Sequence, residues 1–199
     1  MQAIDTISIS FAVPKPQTDD ELLFAIGQGD LNAFEQVHDR YLPKLMHFAG
    51  RITGSSEAAE EVASDTLMVI WRTADRFEGR AKPSSWIFGI AYRLSLKQRQ
   101  SIDRHKCDVL LDEELIDDDE DTAAMIMQQK DIGSALEQLT PQMCAVIELT
   151  YYSGYLYSEI AEILGCTVGT VKTRMMTARK RLREMLSDDA LIFPENVVA

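Results

Sequence analysis

The sequence predicts an all-α protein, built as two small helical domains joined by a flexible acidic linker. Three observations carry that expectation. Apolar residues recur at steps of three and four through most of the chain, and no stretch alternates with the period of a strand. Residues 157–183 read as a short helix, a Gly turn and a second helix rich in Lys and Arg, the pattern of a helix-turn-helix. Between Asp108 and Asp121 nine carboxylates stand without a single base. Like charges at that density stay solvated rather than entering a core.

The elements follow in order. Residues 1–17 carry no helical pattern and read as a disordered N-terminus. Thr18 and Glu21 form a capping-box pattern before Leu22, Leu23 and Ile26. Gly27 and Gly29 break the chain, and Asp30 is placed to cap the next helix. In that helix Leu31, Phe34, Val37, Tyr41, Leu42, Leu45 and Phe48 keep helical spacing. Gly54-Ser55-Ser56 reads as a turn. A third helix is expected from Glu57 to Phe77, with Val62, Leu67, Ile70 and Trp71 inward. A Gly- and Pro-containing loop covers 78–85, and a last helix runs from Trp86 to Arg104. The first domain is thus assigned to 18–106 and the linker to 107–128. The second domain is assigned to 129–187, and 188–199 is a tail. Fully extended, a linker of that length spans roughly 65 Å, so the two domains could grip well-separated sites on one DNA.

The helix-turn-helix is legible residue by residue. Ile160, Ala161, Ile163 and Leu164 give its first helix an apolar face. Gly165 falls where a left-handed residue ends a helix, and Thr167 is a hydroxyl cap for the next. Val168, Val171, Met175, Ala178, Leu182 and Met185 form one inward stripe. Opposite it lie Thr173, Met176, Thr177 and Lys180. Lys172, Arg179 and Arg183 line one flank, and Thr170, Arg174 and Arg181 the other. Two basic rails suit phosphates, which position a helix, while short Thr and a Met between them suit base edges and thymine methyls. The candidate duplex contacts are Thr167, Thr170, Lys172, Thr173, Arg174, Met176, Thr177, Arg179, Lys180 and Arg181.

A formal net charge of −12 is the wrong sign for a DNA binder until it is located. The acidic run holds most of it. Residues 72–106 contain nine bases against three acids, and 168–184 contain six bases against Glu184 alone. Two basic patches are therefore separated by one acidic strap, which could also imitate a nucleic-acid backbone in a partner's basic channel.

Little points to catalysis. There is no Gly-rich phosphate loop, nucleophile elbow or metalloprotease helix, so no enzyme activity, cofactor or metal is expected. His105 and Cys107 lack a nearby third ligand. Cys107, Cys144 and Cys166 are scattered, as in a reduced cytoplasmic protein. No apolar run reaches the length of a membrane span, and Met1 to Thr18 lacks the basic start of a signal peptide.

The motifs then resemble a known family. Glu159-Ile160-Ala161, Leu164-Gly165, Val168-Gly169-Thr170-Val171-Lys172-Thr173-Arg174 and Ala178-Arg179-Lys180-Arg181-Leu182 closely resemble domain 4 of the extracytoplasmic-function sigma factors. Ala59-Glu60-Glu61-Val62, Asp65-Thr66, Trp71-Arg72, Asp75-Arg76-Phe77, Gly79-Arg80, Ser85-Trp86-Ile87-Phe88 and Ile90-Ala91 resemble domain 2. The resemblance implies that the helix carrying Glu60, Glu61, Asp65 and Trp71 docks on core RNA polymerase. It implies that Arg76, Phe77, Arg80, Lys82, Ser85, Trp86, Arg93 and Lys97 capture and open the −10 element, holding the melted non-template strand. The helix from Thr167 would bind duplex at −35, and an anti-sigma factor would restrain the whole. This chain departs from the family pattern at Arg93, usually Asn, at Gly89, usually Arg, at Ser64, often Gln, and at Thr177, often Arg. Its promoter preference is thus not transferable from relatives. The other readings are a plain helix-turn-helix regulator, or a sigma-mimicking decoy for an anti-sigma factor.

Overall fold

A computed structural model describes residues 18–110, 133–136 and 138–186. The described residues contain helices and no strand. The expected N-terminus 1–17, most of the acidic linker and the tail lie outside them.

Four helices form the first half. α1 (Asp19–Gly27) begins with the capping box: Glu21 N donates to the Thr18 hydroxyl at 3.3 Å, and Thr18 N donates to the Glu21 carboxylate at 2.9 Å. α2 (Leu31–Thr53) is capped by Asp30, which accepts from Asn32 N at 2.8 Å. α3 (Ser56–Thr73) starts where Ser55 accepts from Ala58 N at 3.2 Å. It ends earlier than its apolar pattern suggests, and the chain tightens into a 3-10 turn at Ala74–Arg76. α4 (Pro83–Leu110) is longer than expected at both ends. Proline is well suited to a first helical turn, where its missing N–H would find no partner anyway. At its far end α4 takes in 107–110, which the charge pattern had assigned to the linker.

The second half holds a helical turn at 133–136, then α5 (Pro141–Ile147), capped by Thr140. A π-helical segment follows at Glu148–Tyr152. α6 (Tyr157–Leu164) and α7 (Val168–Met185) are the two helices of the helix-turn-helix.

Leu22, Leu23, Val37, Leu45, Phe48, Ile52, Ile70 and Ile87 fill the first half, with Phe48 meeting Phe88 edge-on at 5.2 Å. Val146, Leu149, Ile160, Val171, Met175 and Ala178 fill the second. Three residues placed on inward stripes face outward instead: Leu31, Val168 and Met185. Leu31 and Val168 open their helices and Met185 closes one.

The two halves also touch. α4 packs on α6, α2 packs on α5, and the buried residues of both halves form one continuous cluster. The charge pattern suggested modules held apart; the described residues place them along a shared seam.

Candidate nucleic-acid interface

The turn of the helix-turn-helix is made by Gly165, whose φ of +62° is left-handed. Cys166 N then donates to Ala161 O at 2.9 Å, closing α6. Thr167 caps α7 by accepting from Thr170 N at 3.1 Å. An L side chain at such a φ costs roughly 1–2 kcal/mol. Gly165→Ala should therefore lower stability by about that much, visible as a drop in thermal midpoint, and weaken duplex binding as the helix pair loses its angle.

α7 carries the stripe and rails in alternation. Val171, Met175, Ala178 and Leu182 are buried, while Lys172, Thr173, Met176 and Lys180 are exposed. Met176 is 68% exposed, unusual for a Met and available for apolar contact with a base. Thr173 and Thr177 donate their hydroxyls to the carbonyls four residues back, Gly169 at 3.0 Å and Thr173 at 2.9 Å. Their hydroxyl protons are thus engaged within the helix, so their oxygens and methyls are what remain for a base.

The rails are less uniform than the sequence implied. Lys172 is free to reach a phosphate, and Lys180 stays exposed beside Glu184 at 3.9 Å. Arg179 instead turns toward Tyr151, donating to its hydroxyl with the guanidinium 5.6 Å from the ring centre. Arg174 is half-buried, 3.8 Å from the Cys166 sulfur, and lies against Tyr92 of α4. Burial raises the Tyr92 pKa, and Arg174 opposes that rise. Thr170 and Arg181 are half-buried at the edge.

The −10 candidates lie in the loop before α4 and along its first half, as far as Lys97. Arg76, Arg80, Lys82, Arg93 and Lys97 are exposed, and Arg80 pairs with Glu78 at 2.6 Å. Phe77 packs on Trp86 with ring centres 5.3 Å apart, so the aromatic pair props the 77–82 loop against the helix. Ser85 does not reach the surface: it is 3% exposed with no hydrogen-bond partner for its hydroxyl, because its side of α4 faces the body of the fold. Beside the loop lies a cavity of about 350 Å³, lined in part by Phe24, Gln28, Phe77 and Gly79.

The polymerase candidates Glu60, Glu61 and Asp65 fall on one exposed face of α3, with Glu61 accepting from Gln98 at 2.6 Å. Met68, 47% exposed, extends that face by one turn, an apolar neighbour that charge-based reading passed over. Trp71 is half-buried and packs edge-on against Phe34 at 5.3 Å. One α3 face is thus acidic with an apolar end, and the α4 and α7 faces are basic.

Sequence reasoning also missed a buried charge. Glu148, 6% exposed, accepts or shares a proton with His47 Nε2 at 3.0 Å and faces Arg51 Nε at 3.5 Å. These residues are about a hundred positions apart in the chain, so no local pattern announces them. Burial raises the Glu148 pKa, with His47 and Arg51 opposing the rise; nearby Cys144 and, beyond it, Arg99 complete the titratable surroundings. A raised carboxyl pKa means that the folded form favours the protonated acid. That contribution is full below the ordinary carboxylate range and lost as pH climbs through the raised value. Glu148→Gln should therefore gain stability relative to the native chain at neutral pH and lose that advantage at mildly acidic pH, as read by urea unfolding.

Comparisons with known proteins show the family to which these helices belong. Residues 37–105 match the model for sigma-70 region 2, and residues 129–182 that for sigma-70 region 4. SigL of Mycobacterium tuberculosis is 31% identical over 157 residues, covering 76% of this chain and 88% of SigL. SigW of Bacillus subtilis is 29% identical over 178 residues, covering 82% and 94%. Both are described as ECF RNA polymerase sigma factors. Among solved structures, the sigma factor RpoE of Bartonella quintana, crystallised with the anti-sigma factor NepR, superposes with a TM-score of 0.65. It is 31% identical and covers 80% of this chain and 99% of its own. CnrH, solved with the cytosolic domain of CnrY, shares the fold at 23% identity and a TM-score of 0.66, covering 86% of this chain and 98% of its own.

Proposed function

Because this chain belongs to the extracytoplasmic-function sigma factors of the sigma-70 family, we propose that it directs core RNA polymerase to promoters with −35 and −10 elements and opens the DNA at −10. Such a factor supplies specificity to another protein's catalysis and is not itself an enzyme. The observation that carries the assignment of roles is the division of charge among exposed helix faces: basic on α4 and α7, acidic on α3.

Each face has its own task. α7 enters the major groove at −35, where Lys172 and Arg174 hold phosphates and Thr173, Met176 and Thr177 meet bases. Arg76, Arg80, Lys82, Arg93 and Lys97 attract the backbone at −10. Phe77 and Trp86 offer apolar surface for a base that leaves the stack. Extruding a base costs a few kcal/mol, and backbone charge together with loop contacts offsets it. Glu60, Glu61, Asp65 and Met68 form the dock for polymerase, with Trp71 bracing the same helix. The units that perform these tasks are 18–106 and 129–187, joined by an acidic spacer. A plain regulator that only binds duplex would not need the 77–82 loop before α4.

No helix among the described residues is long and apolar enough to cross a membrane, and the factor works in the cytoplasm, where polymerase and chromosome are. An anti-sigma factor restrains it, a reading supported by the partner present in the Bartonella quintana structure. The test is reconstitution. Purified core polymerase and the native chain, given a pooled genomic fragment library, should yield discrete transcripts whose upstream sequences share two spaced elements. Transcripts no different from core polymerase alone would overturn the assignment.

A further inference from the structure

The outward face of α7 is poor in hydrogen-bond donors where it is best placed to meet bases. Gly169, Thr173 and Met176 stand one above the other on that face and are exposed, with half-buried Thr177 at its edge. Gly169 has no side chain, and Met176, 68% exposed, offers only a thioether and a methyl. The Thr173 hydroxyl donates to Gly169 O at 3.0 Å and the Thr177 hydroxyl to Thr173 O at 2.9 Å, which occupies the one proton that each has. Two acceptor oxygens and a set of methyls remain. The nearest arginines are directed elsewhere: Arg179 toward Tyr151, and half-buried Arg174 toward Cys166. Lys172 stands on the flank, where a mobile ammonium suits a phosphate.

The major-groove edges of the bases differ in how they answer such a surface. Thymine shows a methyl. Adenine and cytosine show amino donors. Guanine shows only the acceptors N7 and O6, and its usual reader is an Arg or Lys that donates to both. Beneath Thr173, Met176 and Thr177 a guanine edge would leave water and find no donor, and an acceptor left unmatched costs more than a made bond contributes.

We propose that α7 selects duplex by a thymine methyl under Met176 and by amino groups, of adenine or cytosine, under Thr173 and Thr177, and that it rejects guanine at all three positions. This selectivity rests on the reading that α7 enters the major groove at −35, and goes beyond it by naming the base groups that are read there.

The probe is the upstream duplex of a promoter recovered by native holoenzyme from the genomic fragment library. Its thymines are replaced one at a time by uracil, which removes the methyl alone. With native holoenzyme one such replacement should weaken binding about fourfold, the worth of one methyl withdrawn from water. With Met176→Ala that loss should vanish, and because Met176 is exposed the substitution leaves the core untouched. Each base pair is then changed so that guanine stands on either strand. Guanine under Thr177 should weaken native binding about tenfold. Thr177→Arg, whose guanidinium supplies the missing donors, should recover binding at that position and at no other. A native chain indifferent to every uracil, a uracil loss that persists in Met176→Ala, or guanine tolerated beneath Thr177 would overturn the selectivity. Upstream protection that weakens with salt yet ignores methyls and guanines would do so while leaving α7 in the groove. No upstream protection at all would overturn both readings.

Discussion

Lys172→Ala combined with Arg174→Ala is expected to weaken binding of the polymerase-bound protein to −35 duplex by on the order of 30-fold or more, taking at least ~1 kcal/mol per lost charged hydrogen bond. Lys172 is exposed on the rail beside Thr173, and Arg174 lies at the other edge of the same face. Each phosphate contact releases about one counterion, so the slope of log affinity against log salt should fall by about 2. Met176→Ala should leave the slope unchanged and alter only sequence preference, since a thioether neutralises no phosphate. Fluorescence anisotropy across a salt series separates the two. An unchanged slope in the double variant would mean that the rails do not touch the backbone.

The second large effect is structural. Phe48 is 2% exposed and meets Phe88 of α4 edge-on, tying α2 to the helix that bears the −10 contacts. Phe48→Ala should cost about 3–5 kcal/mol. Domains of this size hold only about 5–15 kcal/mol in total, so much of the margin would go. Urea unfolding should show the midpoint shift, and strand opening should fail even where polymerase is in excess. Leu31→Ala, on a comparably large apolar side chain, should cost little, because Leu31 is 68% exposed. The contrast separates true core residues from those that merely share the helical period.

That contrast also shows what the sequence makes legible. Periodicity placed the helices, and Thr18, Asp30 and Thr167 mark starts that the structure has, because capping chemistry is local; Ser55, read only as part of a turn, caps α3 as well. Gly165 announces the turn for the same reason. Helix ends are less visible. α4 begins already at Pro83 and continues past Lys106, and nothing in the local composition marks either limit. Burial at helix ends escaped for a related reason: Val168 and Met185 fit the period, but coverage depends on how far the neighbouring helix extends.

The site divides likewise. Thr173, Met176 and Lys172 face outward as the helical angle requires. Arg179 does not, because Tyr151 from a distant segment draws it aside. Ser85 was chosen by its place in a motif, and its burial depends on which face of α4 meets the fold. Glu148, His47 and Arg51 were invisible as partners because their contacts join segments from opposite halves of the chain. Local chemistry is written in adjacent residues; long-range pairing is written only in the packing.

The most direct measurement is permanganate reactivity of thymines at the −10 element, on a promoter chosen by the native holoenzyme from the fragment library. Native protein with core polymerase should make those thymines reactive. The variant neutralised at Arg93, Lys172 and Arg174 should leave them paired, with start-site selection lost. The same reactive thymines and the same start site in that variant would contradict the claim that basic faces on α4 and α7 seize and open the promoter.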